Sequence, residues 1–170
     1  MAKNPLTRYR ISLGVFIIGL ALSGLTAFPL LHELSILTSL LGIDDPARYA
    51  SYVGSKYWIA YVAFGLRQTY ASFPFVGYGT DWLAFGHLTI ALFFLGPWIA
   101  PRRNAWVLYC GLVACVGVIP LALICGPIRG IPFYWSLIDC SFGILGSLPL
   151  LYCVYLTPKL SNEHPREKTD

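Results

Sequence analysis

The chain has 170 residues, of which 56% are hydrophobic and only 12% charged, with a mean hydropathy of +0.64; this excludes an ordinary soluble domain of that size and points to a membrane. Its net charge of +4 comes from basic residues scattered at the ends of apolar segments, so orientation in a bilayer explains the charge and nucleic-acid binding is not expected. The five cysteines, at 110, 115, 125, 140 and 153, lie in or beside apolar runs without CxxC or Cys/His spacing, a pattern of small hydrophobes rather than of disulfides or a metal site.

A short basic start with Lys3, Arg8 and Arg10 precedes the uncharged residues 11–31, about 21 residues and long enough to cross a hydrocarbon core of about 30 Å. This is the expected first span. Its end, Leu25-Thr26-Ala27, is a poor signal-peptidase site, so the segment is expected to remain as an anchor. His32 and Glu33 close it, and residues 34–79 form a segment on the outer side. Within that segment Asp44-Asp45-Pro46 offers an N-cap followed by proline, which predicts a helix running towards Tyr70. The apolar centre of this helix, residues 57–66, is short and bracketed by Lys56 and Arg67, which fits an interfacial element better than a fifth span. Tyrosines at 49, 52, 57, 61 and 70 and Trp58 suit the headgroup region, and residues 73–80 read as a turn.

Residues 81–100 are the expected second span, with Thr80 or Asp81 as its N-cap. The basic turn Pro101-Arg102-Arg103-Asn104 leads to a third span at 105–126, bent at Pro120, and a Gly- and Pro-rich link leads to a fourth at 133–156. The sequence therefore predicts an all-α integral membrane protein: a four-transmembrane-helix bundle with an outer-side interfacial helix between spans one and two. Residues 1–156 make a single membrane domain, and the charged residues 157–170 a flexible cytoplasmic tail. Eight basic residues fall on the side of the two termini (Lys3, Arg8, Arg10, Arg102, Arg103, Lys159, Arg166, Lys168) against four on the other (Arg48, Lys56, Arg67, Arg129). This asymmetry puts both termini in the cytoplasm, in a membrane of the bacterial inner-membrane type. Trp98 and Trp106 then mark the inner interface, and Trp82 and Trp135 the outer one.

Asp139 interrupts an apolar run and needs a partner. His87 and Asp139 each lie about six residues into spans that start at the outer face, hence each about 9 Å below it. Asp139 shares a helical stripe with Trp135, Gly143 and Gly146, and His87 with Thr80, Ala84 and Ala91; small residues mark faces that approach other helices. Glu33 falls on the stripe of Gly19, Ser23 and Thr26, if Pro29 does not turn the helix. Asp81 falls beside Phe85, Leu88 and Leu92, where its expected job is the cap.

The expected site is thus a shallow polar pocket on the non-cytoplasmic side. His87, Asp139 and Glu33 are its catalytic candidates, and Arg129, Tyr134, Trp135 and Trp82 its ligand-binding ones. His87 would transfer protons in a tautomer held by Asp139, Arg129 would hold an anionic group, and the segment from Tyr49 to Tyr78 would cover the pocket. Its ligand would be a small or amphipathic molecule, bound or converted by acid–base chemistry. The same polar groups also suit a network that merely fixes helix register. Two further readings are a non-enzymatic subunit docked on a larger membrane complex and a haem or quinone carrier. His32 and His87 are at different depths and His164 is in the tail, which does not favour haem. No GxSxG, Walker A or HExxH motif is present, no acid chain crosses the spans as a lone transporter requires, and the sequence names no cofactor.

Overall fold

A computed structural model describes residues 4–162; the expectations for Lys3, His164, Arg166, Lys168 and the end of the tail lie outside them. Among the described residues every regular element is helical: α1 (Pro5–Ala27), α2 (Leu30–Leu40), α3 (Gly54–Ser72), α4 (Gly77–Phe93), α5 (Leu95–Ile99), α6 (Ala105–Ile128) and α7 (Phe133–Leu156), with short 3-10 turns at Pro46–Ser51 and Pro74–Val76 and, after α7, at Thr157–Asn162. Four stretches, Pro5–Ala27, Pro74–Ile99, Ala105–Ile128 and Phe133–Leu160, are long and apolar enough to cross a membrane. Only 11% of the most apolar part of α6 is covered by protein. A helix so apolar and so bare needs a lipid or protein environment, which points to integral membrane localisation.

Local chemistry explains where the helices start and stop. α1 begins before the apolar run because Asn4 Oδ1 accepts the Leu6 N–H at 2.8 Å and Pro5 suits a first turn. It stops at Ala27 because Pro29 has no N–H to continue the ladder. α2 then starts afresh, with Glu33 in its first turn, so the stripe that joined Glu33 to Gly19, Ser23 and Thr26 ends at the proline. The exit from α2 is a left-handed turn at Gly42, φ +65°, closed by Ile43 N–H to Thr38 O at 2.9 Å, a pairing that needs a residue tolerant of positive φ.

The expected helix from Pro46 to Tyr70 is two elements. Asp45 does act as a cap, its Oδ1 accepting the Ala47 N–H at 3.0 Å, but the turn it starts is 3-10 and ends at Ser51. Val53 is extended and α3 restarts at Gly54. Tyr49 folds back so that its ring lies 5.4 Å from Tyr61 and 5.5 Å from Phe64. α4 in turn begins at Gly77, and Asp81 is therefore inside the helix rather than at its cap. The Thr80 hydroxyl donates to Gly77 O at 2.7 Å and is 3.0 Å from the Tyr70 hydroxyl; these bonds carry the helix through a glycine-rich stretch of weak intrinsic propensity. Pro97, which cannot donate to Phe93 O, breaks the end of this helix into α5. Asn104 then closes α5 by donating from Nδ2 to Gly96 O at 2.9 Å.

The chain forms two compact units, residues up to Gly19 with those from Ile90 onward, and Leu20–Thr89. In the first, α6 and α7 are antiparallel: Gly111 faces Leu150, Cys115 faces Gly143, Ile119 faces Cys140 and Gly126 faces Ser136. A β-carbon at Gly143 would meet the Cys115 carbonyl oxygen, so glycine here lets two backbones touch, as membrane helix pairs do. The start of α1 runs along α7 in the opposite sense, with the Ser12 hydroxyl donating to Pro149 O at 3.1 Å and the Arg8 guanidinium 5.6 Å from the Tyr152 ring. Phe16 packs on Phe94 at 4.7 Å between centroids. Leu13, Leu108, Leu150 and Cys153 are 0% exposed in the core so formed. The start of α1, the Pro101–Asn104 turn and the end of α7 thereby share one end of this unit, with Arg8, Arg10, Arg102, Arg103 and Lys159 nearby. The α6–α7 loop and Arg129 lie at the opposite end.

The second unit is built on α3. Its Ile59, Ala60 and Ala63 are buried, as are Thr38 in α2, Ile43 in the turn after it and Pro46 in the 3-10 turn. The latter half of α1 touches α4 at Gly24, where a β-carbon would stand 2.9 Å from both Ala84 O and His87 Cβ.

Candidate functional site

Arg129 ends α6, its N–H bonding back to Cys125 O and Gly126 O at 3.0 Å. Gly130 follows at φ +70°, and Ile131 N–H closes the turn on Gly126 O at 3.0 Å, the same left-handed exit that ends α2. Pro132, extended and without an N–H, then starts α7. Because the two helices are antiparallel, the second turn of α7 returns alongside the last turns of α6. Asp139 and Arg129, ten positions apart in sequence, thus line one cavity of about 230 Å³.

The rest of the lining is apolar and includes Val118, Leu121, Ala122, Cys125 and Ile131. Asp139 is half-buried and Arg129 exposed. Among the described residues neither side chain makes an ion pair or hydrogen bond, so a carboxylate and a guanidinium border the same space without neutralising each other directly. Charges in such surroundings are costly unless paired or hydrated. Gly126 also lines the cavity, and its missing side chain leaves room for Ser136 Oγ, which a β-carbon would touch. Ser136 is 1% exposed and its hydroxyl has no partner among the described residues. The apolar lettering of α7 conceals this serine, and only the proximity of Gly126 gives it meaning.

The other expected residues are distributed as follows. Tyr134 is exposed and Trp135 half-buried in the first turn of α7; neither lines this cavity. His87 and Glu33 belong to the other unit. His87 is half-buried, and its Nδ1 bonds Leu83 O one turn earlier at 2.8 Å. A carbonyl can only accept, so Nδ1 carries the proton and Nε2 is the ring nitrogen left for a ligand or a proton. The helix's own backbone is thus sufficient to set the tautomer. Glu33 is half-buried at the start of α2, a favourable place for an anion at a helix N-terminus.

Trp82 lies elsewhere within that second unit, in a shallow recess with Phe28, Tyr78, Asp81 and Phe85. Within the segment expected to cover the pocket, Tyr57 stacks on Tyr61 at 6.1 Å with Tyr49 alongside. Among the described residues no three His, Cys, Asp or Glu side chains converge as a metal-binding group. No protein-family model matches the chain, and neither a curated protein nor a solved structure matches it.

Proposed function

We propose that the chain is a small four-span protein of a bacterial-type inner membrane, its termini cytoplasmic. A shallow pocket at the outer end of α6 and α7 binds, or converts by acid–base chemistry, a small amphipathic molecule. The observation that carries this is the cavity in which Arg129 and Asp139 meet an apolar wall without forming an ion pair. A guanidinium at the rim suits a carboxylate or phosphate, the apolar wall suits a hydrocarbon portion, and a carboxyl group such as Asp139 suits acceptance or return of a proton. Orientation is supported by the five basic residues at the opposite end of the unit. His87, with Nε2 unengaged among the described residues, is the chain's second proton-transfer candidate, and Glu33 a third.

The test is to extract the protein from its own membrane and identify small molecules that co-purify. A species enriched with the native chain and reduced at least about tenfold with Arg129→Gln supports the pocket, as loss of a charge-assisted contact requires. The same species at the same level in both rejects it. A subunit role has one observation in its favour: Tyr57, Tyr61, Phe73 and Phe75 are exposed in the segment around α3, a set of anchors suited to a protein partner. Co-purification of a stoichiometric partner lost on Tyr57→Ala favours that reading. The haem or quinone reading rests on His87 Nε2 alone, and a Soret band abolished by His87→Ala is its test.

A further inference from the structure

A second feature, in the other unit, invites a different ligand. Tyr78, Asp81, Trp82 and Phe85 recur at three- and four-residue intervals along α4 and therefore share one helix face. Phe28, from the junction of α1 and α2, joins them around a recess of about 300 Å³. Successive rings stand nearly perpendicular: Tyr78 to Trp82 at 83° and Trp82 to Phe85 at 89°, each pair 6.0 Å apart. Perpendicular neighbours offer ring faces from more than one direction, as enclosing a cation requires and a flat stack does not. Asp81, half-buried, borders the same recess, and because α4 begins at Gly77 its carboxylate caps no helix. It has no hydrogen-bond or ion-pair partner among the described residues.

An interfacial aromatic belt explains the rings. It does not explain an acidic residue on the same helix face. We propose that this recess binds an organic ammonium group, with Asp81 supplying the charge and Tyr78, Trp82, Phe85 and Phe28 the cation–π faces. The class is common to the headgroups of amine-bearing phospholipids and to free quaternary amines. An inorganic cation, which needs several oxygen ligands, fits poorly against four hydrocarbon rings.

The test uses the full chain in nanodiscs of phosphatidylglycerol, which carries no ammonium, titrated with choline and with 3,3-dimethylbutanol, its uncharged isostere. Binding is read by tryptophan fluorescence and calorimetry. The expected result is saturable binding of choline, at least about tenfold weaker binding of the isostere, and a similar loss in Asp81→Asn. Trp82→Phe keeps an aromatic wall and should lose several-fold, and its unchanged thermal midpoint would show that the fold survives. Equal binding of choline and isostere, or full affinity in Asp81→Asn, overturns the proposal and leaves an ordinary aromatic belt. Repeating the titration with phosphatidylcholine in the disc assigns the source. Competition identifies a lipid headgroup, and undiminished choline binding a free amine; both uphold the site.

Discussion

The two ends of the α6–α7 pair are built from the same kind of residue and arrive at opposite conditions. At the end shared with the start of α1, glycine and large apolar side chains interlock: Gly111 receives Phe94 and Leu150, and Leu13, Leu108 and Leu150 are sealed from outside. Ser12 and Cys153 spend their polar hydrogens on carbonyls of the facing helix. At the loop end, glycine serves instead to leave space. Gly126 makes room for Ser136, and beside it Arg129 and Asp139 border an open cavity. In lipid there is no hydrophobic gain from bringing helices together, so the first end is held by close packing and these interhelical hydrogen bonds, and an unpaired acid at the second adds nothing to them. Function is therefore expected where packing stops.

Substitutions can break that contrast. The largest expected effect is Gly143→Leu, midway along the pair, where any β-carbon meets the Cys115 carbonyl and cannot be accommodated without parting the helices. We expect loss of the folded protein in detergent, and for Gly143→Ala a cost of about 2–3 kcal/mol, seen as a thermal midpoint lower by roughly 5–10 °C. At the packed end Leu150→Ala, from a side chain 0% exposed, should cost about 2 kcal/mol through its cavity, whereas Leu148→Ala, 57% exposed, should change stability by less than about 0.5 kcal/mol. At the open end Asp139→Leu should leave the thermal midpoint unchanged or raise it by a few degrees, about 1 kcal/mol, while abolishing enrichment of the co-purifying species. A lower midpoint would instead make Asp139 a fixture of helix packing. A small effect is also expected of Ser136→Ala, which removes an unpartnered buried hydroxyl and should shift stability by no more than about 1 kcal/mol, upward if at all.

Much of the helical frame is legible in the sequence, because α6 and α7 are long apolar runs bounded by glycine and proline. The ends are less so. Apolarity marks what can face lipid, not what is helical, so α1 extends back to Pro5 through polar residues once Asn4 caps it. Prolines at 29 and 97 divide helices that hydropathy alone runs together. The start of α4 was hidden by Gly77 and Gly79, whose low propensity is outweighed by the bonds among Tyr70, Thr80 and Gly77, and with it the setting of Asp81. Asp139 is recognisable because it interrupts an apolar run and Arg129 because it lies in the loop above it, whereas the left-handed turn at Gly130 that lets both line one cavity is visible only in the structure. The recess around Asp81 also had a signal, the spacing of Tyr78, Trp82 and Phe85. It was masked by the expectation that Asp81 was a cap.

The pocket is tested most directly by an experimental structure of the protein extracted with its native lipids and no added ligand. The proposal predicts ordered density for one molecule in the α6–α7 cavity, its polar group within about 3.5 Å of the Arg129 guanidinium or the Asp139 carboxylate. A cavity closed by a direct Arg129–Asp139 ion pair, with no molecule inside, would contradict it and leave these two residues as a pin for helix register.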